Sequence, residues 1–183
     1  IYVQQARAQA RQDAPPLAVY LTEESLGWVN RLCNANPTII AADQDGAKNA
    51  SGREVMRWYV IKPGQEISLG PTTKASCFPA GHISGAVGWR VDSDGMGVIF
   101  SADTRFNPEL IKASHGGRLL IHEAFRTDEH KELAAGRGHS TSGDAGRSAA
   151  QAGVDELILT HLDTSFSREP QPLIEDAKKH FNG

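Results

Sequence analysis

The sequence is poor in cysteine, in long apolar runs and, before His82, in histidine. Its two cysteines, Cys33 and Cys77, lie far apart and match no spacing of paired metal ligands, so we predict two buried thiols and no disulfide scaffold. No apolar run approaches the ~20 residues that a membrane-spanning helix needs, and no signal peptide is visible. We therefore expect a cytoplasmic protein without a membrane partner.

The charge balance excludes strong non-specific binding of nucleic acid through bulk positive charge. The formal net charge is −3 at pH 7, so attraction to phosphate groups has to come from a local patch. Arg53, Arg57 and Lys62 lie close together in sequence, but a solvated strand face explains them better than a binding patch does.

Strand-like and helix-like segments follow each other in an order typical of an α/β protein. Strands are predicted at residues 17–21, 55–61, 66–69, 73–78, 87–92, 97–100, 118–121 and 156–159, and helices at 23–32, 107–113, 127–135, 141–152 and 171–181. Residues 44–52 are predicted as a polar loop, and residues 1–13 as a short polar helix or a loose arm. Together these elements predict an α/β sandwich with its helices outside, forming a single domain over residues 1–183.

Three apolar strands run directly into residue types that bind metals. Asp103 follows the strand at 97–100, His122 and Glu123 follow the strand at 118–121, and His161 follows the strand at 156–159. Because open α/β sheets form their sites outside the carboxyl ends of the strands, we expect these side chains to share one cleft.

Two further histidines lie in loops of small residues, His82 within residues 79–85 and His139 within residues 136–141. Imidazole and carboxylate groups without thiolates suit zinc, manganese or iron in a hydrolytic site that keeps positions open for water. Spacing alone leaves open both a metal or acid–base site and a set of ordinary structural residues. The other three histidines stand in polar contexts that predict surface positions: His115, His130 and His180.

The same residues resemble the tRNase Z branch of the metallo-β-lactamase superfamily. Residues 100–104, Phe-Ser-Ala-Asp-Thr, resemble its Ser-Gly-Asp-Thr motif, and residues 120–124, Leu-Ile-His-Glu-Ala, resemble its His-Glu-Ala-Thr motif, with Phe125 in place of threonine. Residues 139–141 match its His-Ser-Thr motif, and residues 159–161 match its last metal-ligand motif. His82, followed by Gly-Trp-Arg at 88–90, resembles the histidine that precedes a Gly-Tyr-Arg strand. The resemblance covers residues 77–167.

This resemblance implies an αββα sandwich and a metal-dependent phosphodiesterase or endoribonuclease. It implies that His82 binds one metal ion, that His161 binds a second, and that Asp103 bridges the two. Two divalent ions, with zinc expected and manganese or iron as alternatives, would lower the pKa of a shared water. His139 would be the general acid toward the leaving oxygen, and Glu123 would orient and charge-stabilise its imidazole. The partner is then a phosphodiester substrate, with RNA among the candidates, and a homodimer stays open.

The sequence departs from the family pattern at two places. The His-x-His-x-Asp-His motif, which the family carries upstream, is absent, so these residues alone do not build a complete two-metal site. We expect a fragment that begins at Ile1 and lacks the N-terminal part of the sandwich; a segment supplied from elsewhere or a lost site are the alternatives. Leu162 and Asp163 stand where Phe-Ser is usual. Asp163 is then a partner of the metal ligands or a sign of a different substrate, or else a helix cap or a loop carboxylate.

Two other functions stay open beside the phosphodiesterase. The same scaffold supports a sulfatase, a lactonase or another ester hydrolase, because a fold does not fix its chemistry. The missing upstream motif fits a non-catalytic scaffold subunit. The His-Ser-Thr motif favours phosphodiesters, whereas the gap between His82 and Asp103 is too short for a tRNA-gripping arm, which weakens the case for tRNA.

Overall fold

The computed structural model describes residues 15–35, 40–49 and 51–183, and the chain divides into two compact units, Ile1–Lys62 and Pro63–Gly183. The arm or helix predicted at residues 1–13 lies outside the described residues, and the single domain over residues 1–183 stays a prediction. No helix in the described ranges has both the length and the apolar character that crossing a bilayer requires.

The N-terminal unit contains a four-stranded sheet and one helix. Its strands are β1 (Leu17–Leu21), β2 (Ile40–Ala42), β3 (Gly46–Asn49) and β4 (Glu54–Val60), in the order β1-β4-β3-β2. Helix α1 (Glu23–Asn34) begins after Thr22, whose side chain accepts a hydrogen bond from the Ser25 backbone N–H. The strand and helix predicted at this end of the chain are therefore confirmed, and Thr22 caps the helix.

Strand β3 corrects the prediction of a polar loop at residues 44–52. Its sequence, Gly-Ala-Lys-Asn, has no β-branched or aromatic residue, so the strand forms through antiparallel pairing with β2 and β4 rather than through local preference. A Cβ at Gly46 would overlap the Met56 carbonyl oxygen, which explains the glycine at this close approach of two strands. The strand contributes Ala47 to a core that contains Cys33 and Trp58.

The C-terminal unit contains a six-stranded sheet. Its strands are β5 (Glu66–Ser68), β6 (Thr73–Pro79), β7 (Val87–Ser93), β8 (Met96–Phe100), β9 (Leu119–Glu123) and β10 (Glu156–Thr160), in the order β10-β9-β8-β7-β6-β5. Strands β5 to β8 pair antiparallel, and β8, β9 and β10 pair parallel. The three parallel strands therefore end at the same edge of the sheet.

Helices of the C-terminal unit cover a core that includes Ile99 and Leu120 of the sheet, Leu110 of α2 and Ala149 of α4. These helices are α2 (Pro108–Ser114), α3 (Lys131–Gly136), α4 (Ser142–Ala152) and α5 (Gln171–Lys178), with short 3₁₀ helices at Asp128–His130 and Thr164–Phe166. The helix predicted at 127–135 is thus split into a 3₁₀ turn and α3. Cys77 of β6 is buried, as is Cys33, and neither forms a disulfide in the described structure.

The start of α4 is fixed by a capping box. The Thr141 hydroxyl accepts from the Asp144 backbone N–H at 3.0 Å, and the Asp144 carboxylate accepts from the Thr141 backbone N–H at 3.3 Å. His139 and Ser140 directly precede the cap residue Thr141, so the cap also fixes where these two residues lie relative to the start of α4.

Candidate metal centre

The candidate site lies where β8, β9 and β10 end. Asp103 follows β8, Glu123 is the last residue of β9, and His161 follows β10 directly. Thr160 and Glu123 are partners in the parallel ladder, so the ends of β9 and β10 are level. The three strand ends are thus neighbours at this edge of the sheet, as the sequence predicted.

Asp103, His139 and His161 each place one ligand atom within 4.8 Å of the others. The Asp103 Oδ2 and His161 Nε2 atoms are 3.6 Å apart. Ligands held about 2.0–2.1 Å from a tetrahedral zinc are separated by about 3.4 Å, so this pair already has the spacing of two ligands of one ion. Imidazole and carboxylate donors together suit zinc, and the three residues fit a divalent cation.

His82 lies beside this group, with its ring centroid 5.0 Å from that of His139. Its Nδ1 is 3.0 Å from the Gly138 carbonyl oxygen. Because a carbonyl only accepts, Nδ1 carries the proton and Nε2 keeps a lone pair. This is the tautomer in which a histidine binds a metal through Nε2.

His139 and Glu123 form the side-chain pair that the resemblance implies. The His139 Nδ1 is 3.1 Å from Glu123 Oε1, which also accepts from the Thr104 backbone N–H at 2.6 Å. Glu123 is only 1% exposed, and burial raises its pKa to about 8 against the opposing effect of the Thr104 and Ser140 backbone donors. Burial also lowers the pKa of His139. The pair therefore lies in a buried setting that disfavours the charged form of each side chain.

Phe125 is a contact that sequence reasoning missed. Its ring stacks on the His139 imidazole with centroids 4.9 Å apart and planes 24° from parallel. The only signal for it in the sequence is an aromatic residue where the family motif has threonine. The stack adds a second restraint on the plane of His139, beside the hydrogen bond to Glu123.

Asp163 caps a helix, which is one of the alternatives that the sequence left open for it. Its Oδ1 accepts from the Ser165 backbone N–H at 2.9 Å at the start of the second 3₁₀ helix. Its Oδ2 accepts from Arg126 Nη2, also at 2.9 Å. The Ser165 hydrogen bonds, followed by the Arg126 guanidinium, lower the pKa of Asp163 to about 2.

His122 stands next to Glu123 but is a structural residue. It is fully buried, and its Nδ1 lies 2.6 Å from the Glu123 carbonyl oxygen. Burial lowers its pKa to about 4, so the ring is neutral at pH 7. The surface positions predicted for the remaining histidines hold for His115 and His180, which are exposed, while His130 is half-buried.

Known proteins share both sequence and fold with this chain. A family model described as the β-lactamase superfamily domain matches residues 12–162. Ribonuclease Z from Archaeoglobus fulgidus is 38% identical over 87 residues, which are 48% of this chain and 28% of that protein. The chain thus covers less than a third of that relative's length.

Two solved structures resemble the chain over nearly its whole length. The metallo-β-lactamase fold protein YhfI from Bacillus subtilis gives a TM-score of 0.75 at 23% identity, covering 98% of this chain and 64% of YhfI. The short form of human tRNase Z gives a TM-score of 0.67 at 18% identity, covering 90% of this chain and 67% of the human one. At these identities the likeness shows the fold, which is the metallo-β-lactamase fold that the sequence predicted.

Proposed function

The chain belongs to the β-lactamase superfamily, and on that premise we propose that it carries part of the active site of a metal-dependent phosphodiesterase resembling tRNase Z. The observation that supports this most is the meeting of Asp103 and His161, at the ends of two parallel strands, with His139 from the loop before α4, where Glu123 is hydrogen-bonded to His139. The sequence similarity to ribonuclease Z, in a stretch of 87 residues, supports a phosphodiester as the substrate.

In this proposal, His82, Asp103 and His161 would hold the divalent cations, with zinc expected and manganese or iron as alternatives. Bound cations supply neutralisation of phosphate charge and a water of lowered pKa, which makes a nucleophile available near neutral pH. The 3.6 Å between the Asp103 and His161 ligand atoms supports their part of this assignment.

His139 is the proposed general acid. Its Nδ1 is held by Glu123, so Nε2 is the ring nitrogen left to donate a proton to the leaving oxygen. The acid form is the doubly protonated ring, which burial disfavours and the negative charge of Asp103 favours. In that form Nδ1–H donates to Glu123 Oε1, and the Nε2 proton passes to the leaving oxygen and leaves a neutral imidazole. Glu123 and Phe125 keep the imidazole in one plane, so the acid needs no reorientation when the P–O bond breaks.

The substrate class in this proposal is a phosphodiester, with RNA as the first candidate. The sequence similarity to ribonuclease Z supports RNA. The net charge of −3 supplies no bulk attraction to phosphate, and the short interval from His82 to Asp103 weakens the case for tRNA. The proposal includes a cytoplasmic location, which the two cysteines without a disulfide support, and leaves a homodimer open.

The test compares His139→Ala with His115→Ala, an exposed control, in the complete natural protein. We expect His139→Ala to lower turnover of RNA and of bis(p-nitrophenyl) phosphate by about 10²- to 10⁴-fold with bound metal unchanged, and His115→Ala to alter neither. Full activity of His139→Ala on every phosphodiester would refute the acid role. Loss of metal together with turnover would make His139 a ligand instead.

The same preparations separate the other functions. Turnover of a sulfate ester or a lactone, but of no phosphodiester, would replace the proposal with another ester hydrolase on this fold. Near-zero metal in the unchanged protein at neutral pH would favour the non-catalytic scaffold.

A further inference from the structure

We propose that Gly138 is a positioning residue that sets the place and the tautomer of the His82 imidazole, so that Nε2 is presented as the ligand atom. The inference rests on the proposed function for the role of His82 as a metal ligand. It extends that function to a residue with no side chain, in a loop between α3 and α4.

Gly138 meets two separate demands, one of backbone conformation and one of space. Its φ is +85°, in the left-handed region that favours glycine. A Cβ at this position would lie 2.7 Å from His82 Nδ1 and 3.3 Å from its Cε1. The imidazole therefore packs directly on the Gly138 backbone, and any side chain there would push the ring away.

The backbone of Gly138 also chooses the tautomer. Its carbonyl oxygen is 3.0 Å from His82 Nδ1, which must donate because the carbonyl has only lone pairs. Nε2 is then the unprotonated nitrogen. Partners of this kind, on the ring nitrogen that does not bind the metal, fix the orientation and basicity of a ligating histidine.

The neighbouring residues make this loop a common support for the site. After Gly138 holds His82, His139 contacts Glu123 through Nδ1, and the Ser140 hydroxyl donates to the Thr104 carbonyl oxygen at 2.6 Å. The loop is anchored in turn to α3, because the backbone N–H of His139 donates to the Ala134 carbonyl oxygen at 2.9 Å. A displacement of Gly138 would therefore move both His82 and His139.

The experiment uses Gly138→Ala with two matched glycine controls. Gly153 also has a positive φ, +67°, but no described atom lies within 4 Å of its Cβ position, so Gly153→Ala measures backbone strain alone. Gly136→Ala, near the same loop, carries neither a positive φ nor a close neighbour. The difference between Gly138→Ala and these controls isolates the contact with His82.

The first readout is the tautomer of His82 in metal-free protein, measured by ¹⁵N NMR of labelled histidine, with His82→Asn to assign the signals. We expect an Nδ1–H signature in the unchanged protein and in both controls, and its loss in Gly138→Ala. An Nε2–H signature in the unchanged protein would overturn the inference without reference to any variant, so a Gly138→Ala protein that fails to fold does not block the test.

The second readout is zinc affinity, measured by competition with a chromophoric chelator. We expect Gly138→Ala to weaken zinc binding by about 10- to 100-fold, as loss of a ligand-orienting partner does, while both controls stay within about 2-fold of the unchanged protein. Equal affinities in all four proteins, or equal losses in Gly138→Ala and Gly153→Ala, would overturn the inference. Neither readout needs a substrate, so failure of the phosphodiester panel would remove the proposed function and leave these results standing.

Discussion

Replacing Asp176 with alanine should destabilise the C-terminal unit by about 3–5 kcal/mol, because it breaks a buried charge network at the start of α4. Asp176 lies on α5 and is 3% exposed. Its Oδ2 accepts from the backbone N–H of Asp128 at 2.9 Å, from that of Gly143 at 3.0 Å and from the Ser142 hydroxyl at 2.8 Å. Its Oδ1 accepts from Lys179 Nζ at 3.0 Å. The carboxylate thus occupies the free N–H end of α4, where the helix dipole also favours negative charge.

The magnitude follows from the donors that the alanine leaves behind. Each buried donor without an acceptor costs about 1–3 kcal/mol. The Gly143 N–H and the Ser142 hydroxyl are buried, whereas the Asp128 N–H is partly accessible and water can replace its acceptor. Two full penalties and a smaller third give the range above, which is a large share of the ~5–15 kcal/mol that stabilises a typical domain. Asp176→Asn keeps one oxygen for the shared donors and should cost about 1–2 kcal/mol.

Urea unfolding followed by circular dichroism measures this effect. The control is Asp155→Ala, an exposed carboxylate in the same unit, which should change the free energy of unfolding by less than about 0.5 kcal/mol. A loss below about 1 kcal/mol for Asp176→Ala, or equal losses for alanine and asparagine, would refute the reasoning from buried donors.

Two further predictions concern the thermal stability at low pH and the packing of the N-terminal unit. Hydrogen bonds from Arg147 lower the pKa of Asp128. Burial acts to raise the pKa of Asp144, but the Arg147 and Thr141 hydrogen bonds together with the Lys131 and Arg147 charges lower it below its ordinary value. A carboxyl whose folded-state pKa is lowered stabilises the fold above its unfolded pKa and loses that effect as pH falls. The melting temperature should therefore hold down to about pH 5 and fall below about pH 4; a flat profile from about pH 5 to about pH 2 in differential scanning calorimetry would contradict this. Gly46→Ala should cost about 1–3 kcal/mol by forcing a Cβ against the backbone of β4. Gly27→Ala, inside α1 with only an ordinary contact, should stabilise by about 0.5–1 kcal/mol, and urea unfolding that gave both changes the same sign would disprove the steric account.

The elements that sequence predicted best are those with local signals. The capping box of Thr141 and Asp144 fixed the start of α4, and three apolar strands followed by ligand-type residues located the edge of the sheet. Parallel strands that are neighbours end at the same edge of a sheet, so the sequence predicts that Asp103, Glu123 and His161 lie close together.

The features that sequence could not predict depend on contacts between distant residues. Strand β3 exists only through its partners, because Gly46 and its successors have no strand preference of their own. The steric requirement for glycine at position 138 comes from the His82 imidazole, which is far away along the chain. The sequence leaves several alternatives for Asp163, and only its contacts with Arg126 and the Ser165 N–H show that it caps a helix.

Backbone strain at the strand ends connects the sheet to the site. Ala102 has φ 54° and His161 has φ 52°, both in the left-handed region that costs a non-glycine residue about 1–2 kcal/mol. The family motif has glycine where Ala102 stands, so this chain accepts a strain that glycine would avoid. Backbone hydrogen bonds hold both turns: the Ser101 N–H donates to the Ile121 carbonyl oxygen, and the Ala124 N–H, directly after β9, donates to the Thr160 carbonyl oxygen. An abrupt turn follows both β8 and β10, so the chain leaves the sheet direction before Asp103 and at His161. The two metal-ligand atoms, Asp103 Oδ2 and His161 Nε2, are then 3.6 Å apart. We interpret the backbone strain as a cost of this approach.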